Sequence, residues 1–363
     1  MTPLVSESTI VVIGHGLAGL TTALALAQRG KSVVIIAKED DELAATPAAH
    51  GISTIKGILE SDSELFALKL EGHRGFNAWL SGIENILGQK RPEAVWVNSV
   101  VEIFQDFESF CHEFGRIYRR DFFGAKRVTF DAFSPDAFAR VTYPGDFWVS
   151  PKYLVDILKK AAEKKGIETI SSEVSRVSSK LEGCQITLAD GQQFIARAAV
   201  LCAGARIPKL LSDSGIMQED WFAVAGYTFK ARAEVLNACY VKGTSGVTAM
   251  NGSIFFGSTS EKSIKLDSRL ETSVQVKKSL NAVSELALAH IASAKFSGVL
   301  SPKEMSQLRA AWGVRIRTRS RKPNIARVGA KDNIWLNAGY YKSGIILSWL
   351  MAEELSDGIC GAL

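Results

Sequence analysis

The chain has 363 residues and a formal net charge of +5, and 47% of its residues are hydrophobic against 22% charged. This balance is typical of a globular protein with a large buried core, and the length predicts two domains. The sequence contains no run of about 18 apolar residues and no leader-like N-terminus. We therefore expect a cytoplasmic protein with no membrane span. The mildly basic charge permits an anionic ligand or RNA and requires neither.

A β-α-β unit opens the sequence. Thr9–Ile13 reads TIVVI, a continuous apolar run that predicts a buried parallel strand. Helical periodicity follows from Leu20 to Gln28, and Lys31–Ala37 predicts a second buried strand. The residues between the first strand and the helix read GHGLAG, which matches GxGxxG in the strand–turn–helix context that this motif requires.

The glycine-rich turn predicts dinucleotide binding. Gly14 allows the tight turn, Gly16 lets a pyrophosphate approach the backbone, and Gly19 lets helix and strand pack closely. The phosphates would lie at the N-terminus of the helix, where backbone N–H groups are free. The acidic residue that usually binds the ribose would fall at Ala37, which cannot do so. Glu39 is the nearest substitute, and a solvated charge run is the alternative.

Helical spacing, strand patterns and turn signals alternate along the rest of the chain. Helices are predicted over Ser63–Gly88, from Ser150-Pro151 to Gly166, over Thr272–Ala292, from Ser301 onwards and over Ser343–Ser356. Strands are predicted at Glu173–Val177, at Cys184–Ala189 and Phe194–Cys202 around an Asp190-Gly191 turn, within 220–260, and at Asn333–Ala338.

Cysteine and histidine spacing gives no sign of a metal. The five cysteines form no CxxC pair, and the five histidines are scattered. We therefore expect reduced thiols, no disulfide scaffold and no metal site.

Several motifs, taken in order, resemble one flavoenzyme family over nearly the whole chain. They are GHGLAGL at the start, AAHGI at 48–52, VSPKYLVDILKKAAEKKG at 149–166, VLCAGA at 200–205, GVR at 313–315 and GYYKSGI at 339–345. This order and spacing are similar to those of the FAD-dependent amine oxidoreductases of the D-amino-acid oxidase and glycine oxidase type. The resemblance implies an α/β fold with a Rossmann-like FAD-binding domain interleaved with a smaller mixed-sheet α+β substrate domain. The expected FAD domain comprises 1–85, 150–215 and 325–363, and the substrate domain comprises 86–149 and 216–324.

The resemblance implies FAD as the cofactor and indicates which residues surround it. In the family the flavin lies along the N-terminal glycines, and the segment matching His50 and Gly51 passes beside the isoalloxazine ring. The residue matching Val174 touches the adenine region through its backbone, and the segment before the last helix presents N–H groups to the flavin. The expected FAD-binding residues are Gly14, Gly16, Leu17, Ala18, Gly19, Lys38, Glu39, His50, Gly51, Val174, Ala203, Gly204, Gly339, Ser343, Gly344 and Ile345.

Three residues are expected to anchor and orient the substrate, and none is assigned as an acid or base. Arg315 falls at the family's carboxylate-binding arginine, where a guanidinium offers a planar bidentate fork; a surface arginine is the alternative. Lys342 falls where glycine oxidases place a second arginine, and Tyr340 replaces a common histidine. The implied reaction is hydride transfer from the amine-bearing carbon to flavin, imine hydrolysis and reoxidation by molecular oxygen. The implied substrate is a small glycine-like amino acid or N-substituted glycine.

A second resemblance implies a different substrate class. The oxidase module of the bifunctional enzyme that makes 5-methylaminomethyluridine in tRNA is similar to this chain at Trp148–Pro151 and at GVRIRTRSRKP. It implies a tRNA-modifying oxidase that acts on a carboxymethylaminomethyl wobble uridine. Salt-dependent tRNA binding would distinguish this alternative from a small-molecule oxidase. A flavoprotein or NAD-linked dehydrogenase that does not use oxygen is a third interpretation.

The basic segment Val314–Pro323 reads VRIRTRSRKP. A continuous strand would place its four alternate arginines on one face, where their mutual repulsion opposes a shared amine pocket. We therefore expect the strand to break soon after Arg315, so that only this side chain is directed at the flavin. Arg317–Lys322 would then lie on a loop, either as solvated charge or as the edge of an RNA-binding face.

Overall fold

The computed structural model describes residues 5–39, 41–56, 62–104, 106–118, 139–216, 220–232, 238–242, 245–257, 263–280, 309–328 and 333–363. The strands are β1 (Ile10–Ile13), β2 (Val33–Ala37), β3 (Ile52–Ser53), β4 (Trp96–Phe104), β5 (Ala139–Val149), β6 (Glu168–Ser171), β7 (Val174–Lys180), β8 (Gly183–Leu188), β9 (Gln193–Ala196), β10 (Ala198–Leu201), β11 (Phe222–Arg232), β12 (Ala238–Lys242), β13 (Ser245–Met250), β14 (Ser253–Gly257), β15 (Ile264–Lys265), β16 (Arg309–Arg317), β17 (Asn324–Arg327) and β18 (Ile334–Ala338).

The helices begin and end at residues that local sequence explains. Ser150 caps one helix by accepting the backbone N–H of Tyr153 at 3.3 Å, with Pro151 in its first turn. Another helix ends at Gly88, which adopts a left-handed φ of 66°. The α-helices are α1 (Leu17–Gln28), α2 (Glu64–Leu87), α3 (Phe107–Tyr118), α4 (Pro151–Lys164), α5 (Ile207–Asp213), α6 (Thr272–Leu280) and α7 (Gly344–Ala362), and the 3₁₀ turns are Glu93–Val95 and Gly204–Arg206.

The first sheet has the order β17-β18-β10-β1-β2-β6. All pairs except β17 with β18 are parallel. Its central strands are fully buried because both faces are covered, which explains their continuous apolar sequences. The helices α1, α2, α4 and α7 contribute side chains to the core on one face. The antiparallel sheet β7-β8-β9 and α5 contribute to the core on the other.

The second sheet is mixed and largely antiparallel, with the order β15-β11-β14-β13-β12-β4-β5-β3, and β16 also pairs with β11. Together the sheets give the mixed α/β fold that was expected. The proposed domain division remains a prediction. Ile52–Ser53, which that division assigns to the FAD domain, forms β3 and pairs with β5 of the second sheet.

Two strand predictions need correction. The predicted strand Phe194–Cys202 is two strands, because Arg197 separates β9 of the three-stranded sheet from β10 of the parallel sheet. In the basic segment the strand continues through Arg317 and ends before Thr318, so two arginines of that segment lie on β16. This strand extends because nine consecutive residues pair with β11. The predicted helix beginning at Ser301 and the end of the one predicted to reach Ala292 lie outside the described residues.

All five cysteines have free thiols. No helix in the described part of the chain is long and apolar enough to cross a membrane.

Candidate active site

A cavity of about 810 Å³ opens at one edge of the parallel sheet. The loops that follow β1, β2, β10 and β18 all line it, with Gly14, Lys38, Ala203 and Gly339 as the first or second residues after those strands. The carboxyl ends of four parallel strands therefore meet at this cavity. Open α/β sheets bind their ligands at this edge, which makes the cavity the candidate cofactor site.

The three motif glycines have different surroundings. Gly14 has a φ of 109°, and a Cβ there would lie 2.6 Å from the Cys202 carbonyl oxygen. A Cβ on Gly19 would lie 1.9 Å from the Gly14 oxygen, so this glycine is required for packing. A Cβ on Gly16 would meet only Thr46 Oγ1, at 3.7 Å, and Gly16 lines the cavity. Open space at Gly16 is what a phosphate needs to approach the backbone closely.

Two helices begin at the cavity. Gly16 is the N-cap of α1 and Ser343 is the N-cap of α7, and neither start has a side-chain cap hydrogen bond. Leu17 and Ala18 of α1 and Gly344 of α7 line the cavity. Each helix start carries unpaired N–H groups and the positive end of the helix dipole, so both favour negative charge in the cavity.

Acidic side chains lie at the end of β2, where a ribose would be expected. Arg206 pairs with Asp41 at 3.0 Å and with Glu173 at 3.3 Å, and Lys38 also contacts Glu173 at 3.2 Å. Glu39 is exposed, lines the cavity and makes no ion pair or hydrogen bond with the described residues. Its carboxylate is therefore available to accept hydrogen bonds from ribose hydroxyls.

Arg315 brings a cation from β16 to the wall of the cavity. It is half-buried, its Nη2 donates to the Ala225 carbonyl at 3.4 Å, and its guanidinium carbon lies 5.9 Å from the centroid of the Tyr341 ring. Burial lowers the pKa of this guanidinium, and Tyr341 opposes that shift. An arginine remains charged even so, and a partly desolvated guanidinium is a strong site for a carboxylate.

Tyr340 lines the cavity, but its hydroxyl is engaged inside the protein. The hydroxyl donates to Asn337 Oδ1, and Asn337 Nδ2 donates to Thr22 Oγ1 at 2.8 Å. Burial raises the pKa of Tyr340 well above its ordinary value. This chain of hydrogen bonds joins the end of β18 to α1. Tyr340 is thereby suited to position the loop beside the cavity, and its role toward a substrate remains a prediction.

Lys342 follows Tyr341 in the chain but is not among the residues that line the cavity. Its Nζ is 5.5 Å from the centroid of the Tyr341 ring. Desolvation and the nearby cations Arg315, Arg321 and Lys69 lower the pKa of this lysine.

His50 and Gly51 also lie outside the cavity lining. The His50 ring is buried in the second sheet, where its Nε2 lies 3.1 Å from Thr248 Oγ1, and burial lowers its pKa to about 4. A Cβ on Gly257 would lie 2.7 Å from His50 Nδ1, so that glycine makes room for the ring. Gly51 has a φ of 99° and fits against the Val149 carbonyl. His50 is therefore a neutral, hydrogen-bonded core side chain at pH 7.

The cavity gathers most of the residues that the sequence suggested. Those that line it are Gly14, Gly16, Leu17, Ala18, Lys38, Glu39, Val174, Ala203, Gly204, Arg315, Gly339, Tyr340 and Gly344. Those outside its lining are Gly19, His50, Gly51, Lys342, Ser343 and Ile345. Their roles in binding remain predictions.

Sequence reasoning missed Tyr341, Arg206 and the Asn337–Thr22 pair. Tyr341 sits between two residues that were singled out, so its neighbours were a usable signal. Arg206 forms ion pairs with Asp41 and Glu173, which are far from it in the sequence. Asn337 donates to Thr22, which lies 315 positions earlier in the chain. No local pattern reveals contacts across such separations.

The parallel sheet, the glycine turn and the two helix starts define a dinucleotide-binding protein of the Rossmann-like class. The profile of the FAD dependent oxidoreductase (DAO) family matches residues 9–358, and the chain belongs to this family. It is therefore an FAD-dependent oxidoreductase. The residues present fit the cofactor, since Gly16 leaves room for a pyrophosphate, uncapped helix starts face the cavity and Glu39 is available at the ribose end.

Known proteins with similar folds include amino-acid oxidases. Glycine oxidase from Geobacillus kaustophilus matches with a TM-score of 0.77 and 20% identity over 96% of this chain and 94% of that one. Iminodiacetate oxidase from Chelativorans sp. BNC1 matches with a TM-score of 0.77 and 19% identity over 97% and 95% of the two chains. These likenesses establish the fold.

A curated relative is longer than the region it shares with this chain. The tRNA 5-methylaminomethyl-2-thiouridine biosynthesis bifunctional protein of Aeromonas salmonicida is 24% identical over 215 residues. The match covers 56% of this chain and 31% of that protein's length.

Proposed function

We propose that this protein oxidises the C–N bond of a glycine-like amino acid or N-substituted glycine. The observation that carries the proposal is the position of Arg315, a half-buried cation at the end of the cavity adjoining the loop before α7. An amino acid whose carboxylate binds this guanidinium would have its α-carbon held a short, fixed distance away. FAD supplies the hydride acceptor when it is bound.

The reaction requires little acid–base chemistry from side chains. The C–H bond of the α-carbon breaks and its electron pair leaves as hydride, while the nitrogen loses a proton and the C–N bond becomes an imine. Water then adds to the imine and releases the amine and a carbonyl compound. What the protein must supply is orientation and charge stabilisation. Arg315 would orient the substrate. The uncapped start of α7 would stabilise the negative charge that a bound flavin gains as it accepts the hydride.

Two oxidases with the same fold support the choice of substrate class. By their names they act on glycine and on iminodiacetate, which is itself an N-substituted glycine. Molecular oxygen is the proposed final electron acceptor, and two electrons convert it to hydrogen peroxide.

Anaerobic bleaching of the flavin tests this function directly. The holoenzyme would be mixed with glycine, sarcosine, iminodiacetate or D-alanine while its visible absorbance is followed. We expect at least one N-substituted glycine to reduce the flavin, and oxygen to restore the colour with release of peroxide. An enzyme that stays oxidised with all four compounds, but is reduced by a hydroxy acid, would contradict oxidation of a C–N bond.

A second candidate is the same chemistry on an amine carried by tRNA. It is favoured by the sequence match to the tRNA-modifying relative and by basic side chains beside the Arg315 end of the cavity. Salt-dependent binding of tRNA, together with bleaching by tRNA that bears carboxymethylaminomethyluridine, would support it. Failure to bind tRNA at low salt would exclude it.

A further inference from the structure

Three basic side chains from separate elements meet beside the cavity. Lys69 comes from α2, Arg321 from the turn after β16, and Lys342 from the turn before α7. We call these three residues the cationic rim. Burial lowers the pKa of Lys342, and the nearby cations Arg315, Arg321 and Lys69 lower it further. Burial and then Arg321 lower the pKa of Lys69. The three charges therefore repel one another.

Among the described residues, the cationic rim has no acidic partner. Within the described part of the chain, none of its three members forms an ion pair or hydrogen bond through its side chain. Neighbouring cations on the same turn do have acidic partners, since Lys322 pairs with Glu64 and Arg319 contacts Asp220 at 3.4 Å. Like charges held together without a counter-charge cost free energy, and an anion between them would remove that cost.

Local structure keeps the rim in place. Arg321 has a left-handed φ of 63°, and its N–H donates to the Thr318 carbonyl at 3.3 Å. The Lys322–Glu64 ion pair ties this turn to the first turn of α2, the helix that carries Lys69. The turn that carries Arg321 and the helix that carries Lys69 are thus held next to each other.

Tyr341 connects the rim to the substrate end of the cavity. Its ring lies between Arg315 and Lys342, with its centroid 5.9 Å from the guanidinium carbon of the first and 5.5 Å from Nζ of the second. Arg315 and Tyr341 line the cavity, whereas the rim lies just outside it. A substrate anchored at Arg315 could therefore place a second group at the rim.

We infer that the cationic rim is a subsite for a second anionic group of the substrate, adjacent to the carboxylate held by Arg315. The inference rests on the proposed function and names its substrate class, a dianionic N-substituted glycine. Two sources offer the same chemistry, namely a second carboxylate on a small molecule and a phosphate of a nucleotide that carries the amine. Both would lie at the cavity mouth, where a bulky substituent on nitrogen can extend outward.

The test measures binding without turnover. Thiodiacetate and (methylthio)acetate contain sulfur in place of the amine nitrogen, so they differ by one carboxylate and have no C–N bond to oxidise. Each would be titrated into the holoenzyme, and its dissociation constant Kd read from the change in flavin absorbance. We expect the dianion to bind about tenfold more tightly than the monoanion at low salt, and this preference to shrink as ionic strength rises.

Variants assign the preference to the rim. The double variant Lys69→Ala/Arg321→Ala should reduce the preference to about twofold, and Arg321→Glu alone should abolish it. Arg319→Ala, which removes an exposed cation two positions away that already has an acidic partner, is the matched control and should keep it. Flavin content at the wild-type level would show that each variant folds.

A parallel titration with an unmodified tRNA transcript separates the two sources. Loss of the thiodiacetate preference in the double variant identifies a carboxylate subsite. No preference for thiodiacetate, combined with tRNA binding that weakens about tenfold in the double variant and not in Arg319→Ala, identifies a phosphate subsite. If neither ligand distinguishes the double variant from wild type, the subsite does not exist. Because these ligands are not oxidised, that result stands apart from any failure to bleach the flavin with amines.

Discussion

Replacing Arg315 with alanine is the most direct test of how this protein would hold a substrate. The side chain reaches the cavity from β16, and its Nη2 donates to the Ala225 carbonyl at 3.4 Å. Its removal would leave a substrate carboxylate without its bidentate partner in a partly desolvated site. Two charge-assisted hydrogen bonds contribute a net of about 3 kcal/mol. Since about 1.36 kcal/mol corresponds to a factor of ten, the substrate Kd should rise about 150-fold.

The assay is anaerobic flavin reduction over a range of substrate concentrations, which gives Kd and the limiting reduction rate separately. Arg315→Lys keeps the charge and loses the planar fork, so we expect an intermediate Kd about tenfold above wild type. Arg309→Ala is the matched control, because Arg309 lies exposed at the far end of the same strand. Its Kd should equal that of wild type. A Kd for Arg315→Ala within twofold of wild type, with full flavin content, would refute the assignment of Arg315 as the carboxylate anchor.

Three further predictions concern the cofactor, the cavity wall and pH. Gly16→Ala adds a methyl group that meets no protein atom closer than 3.7 Å, so the unfolding free energy of the apoprotein should not change. The methyl group would occupy the space that the pyrophosphate needs, so equilibrium dialysis should show FAD binding weakened at least about tenfold. Tyr340→Phe leaves Asn337 Oδ1 without its donor, so urea denaturation should show that the unfolding free energy falls by about 1–2 kcal/mol. The substrate Kd should change less than about twofold. A large change in Kd without a loss of stability would instead identify Tyr340 as a substrate contact. Burial lowers the pKa of His50 from 6.5 to about 4, so the unfolded chain takes up this proton first and stability falls as the pH drops below about 6.5. The loss should be about 1.6 kcal/mol between pH 6.5 and 5. Urea denaturation should show a shallower pH dependence for His50→Gln than for wild type or for His112→Gln, which alters an exposed histidine.

The elements with strong local signals were predictable. The first strand, the glycine turn and the following helix occur as Ile10–Ile13 and Leu17–Gln28, close to the predicted bounds. Continuous apolar runs predict buried parallel strands because both faces of such strands are covered. The Ser150-Pro151 start was equally clear, since the cap and the proline act on the residues next to them. FAD as the cofactor was confirmed by the family match, and this followed from the order of motifs along the chain.

Features that depend on distant contacts were not predictable. The break at Arg197 between two sheets has no strong turn residue, since the apolar pattern continues across it. The segment that contains His50 is expected beside the flavin, with its side chain either lining the pocket or satisfied by hydrogen bonds, and the ring occupies space left by Gly246 and Gly257 on the second sheet. Those glycines lie about 200 positions further along the chain. Only the folded arrangement shows that they accommodate an imidazole.

The basic segment shows how pairing between strands overrides a charge argument. Repulsion between arginines suggested that the strand would stop soon after Arg315, but pairing with β11 carries it through Arg317. Both guanidinium carbons lie 5.9 Å from the centroid of the Tyr341 ring, but the other contacts of the two side chains differ. Arg317 lies over the Phe222 ring at 4.5 Å and donates to Ser263 Oγ at 3.1 Å, whereas Arg315 lines the cavity.

The extended strand also ties the proposed anchor to two other segments of the cavity wall. The N–H of Tyr341 donates to the Ile316 carbonyl at 3.2 Å, and the N–H of Val314 donates to the Leu43 carbonyl at 3.1 Å. The residues on either side of Arg315 are therefore tied to the loop before α7 and to the segment after β2, both of which line the cavity. A strand that ended at Arg315 would lose the first of these ties. The continuation of β16 thus holds the proposed anchor at a constant distance from the cofactor site, which is the geometric requirement for hydride transfer from a bound amino acid.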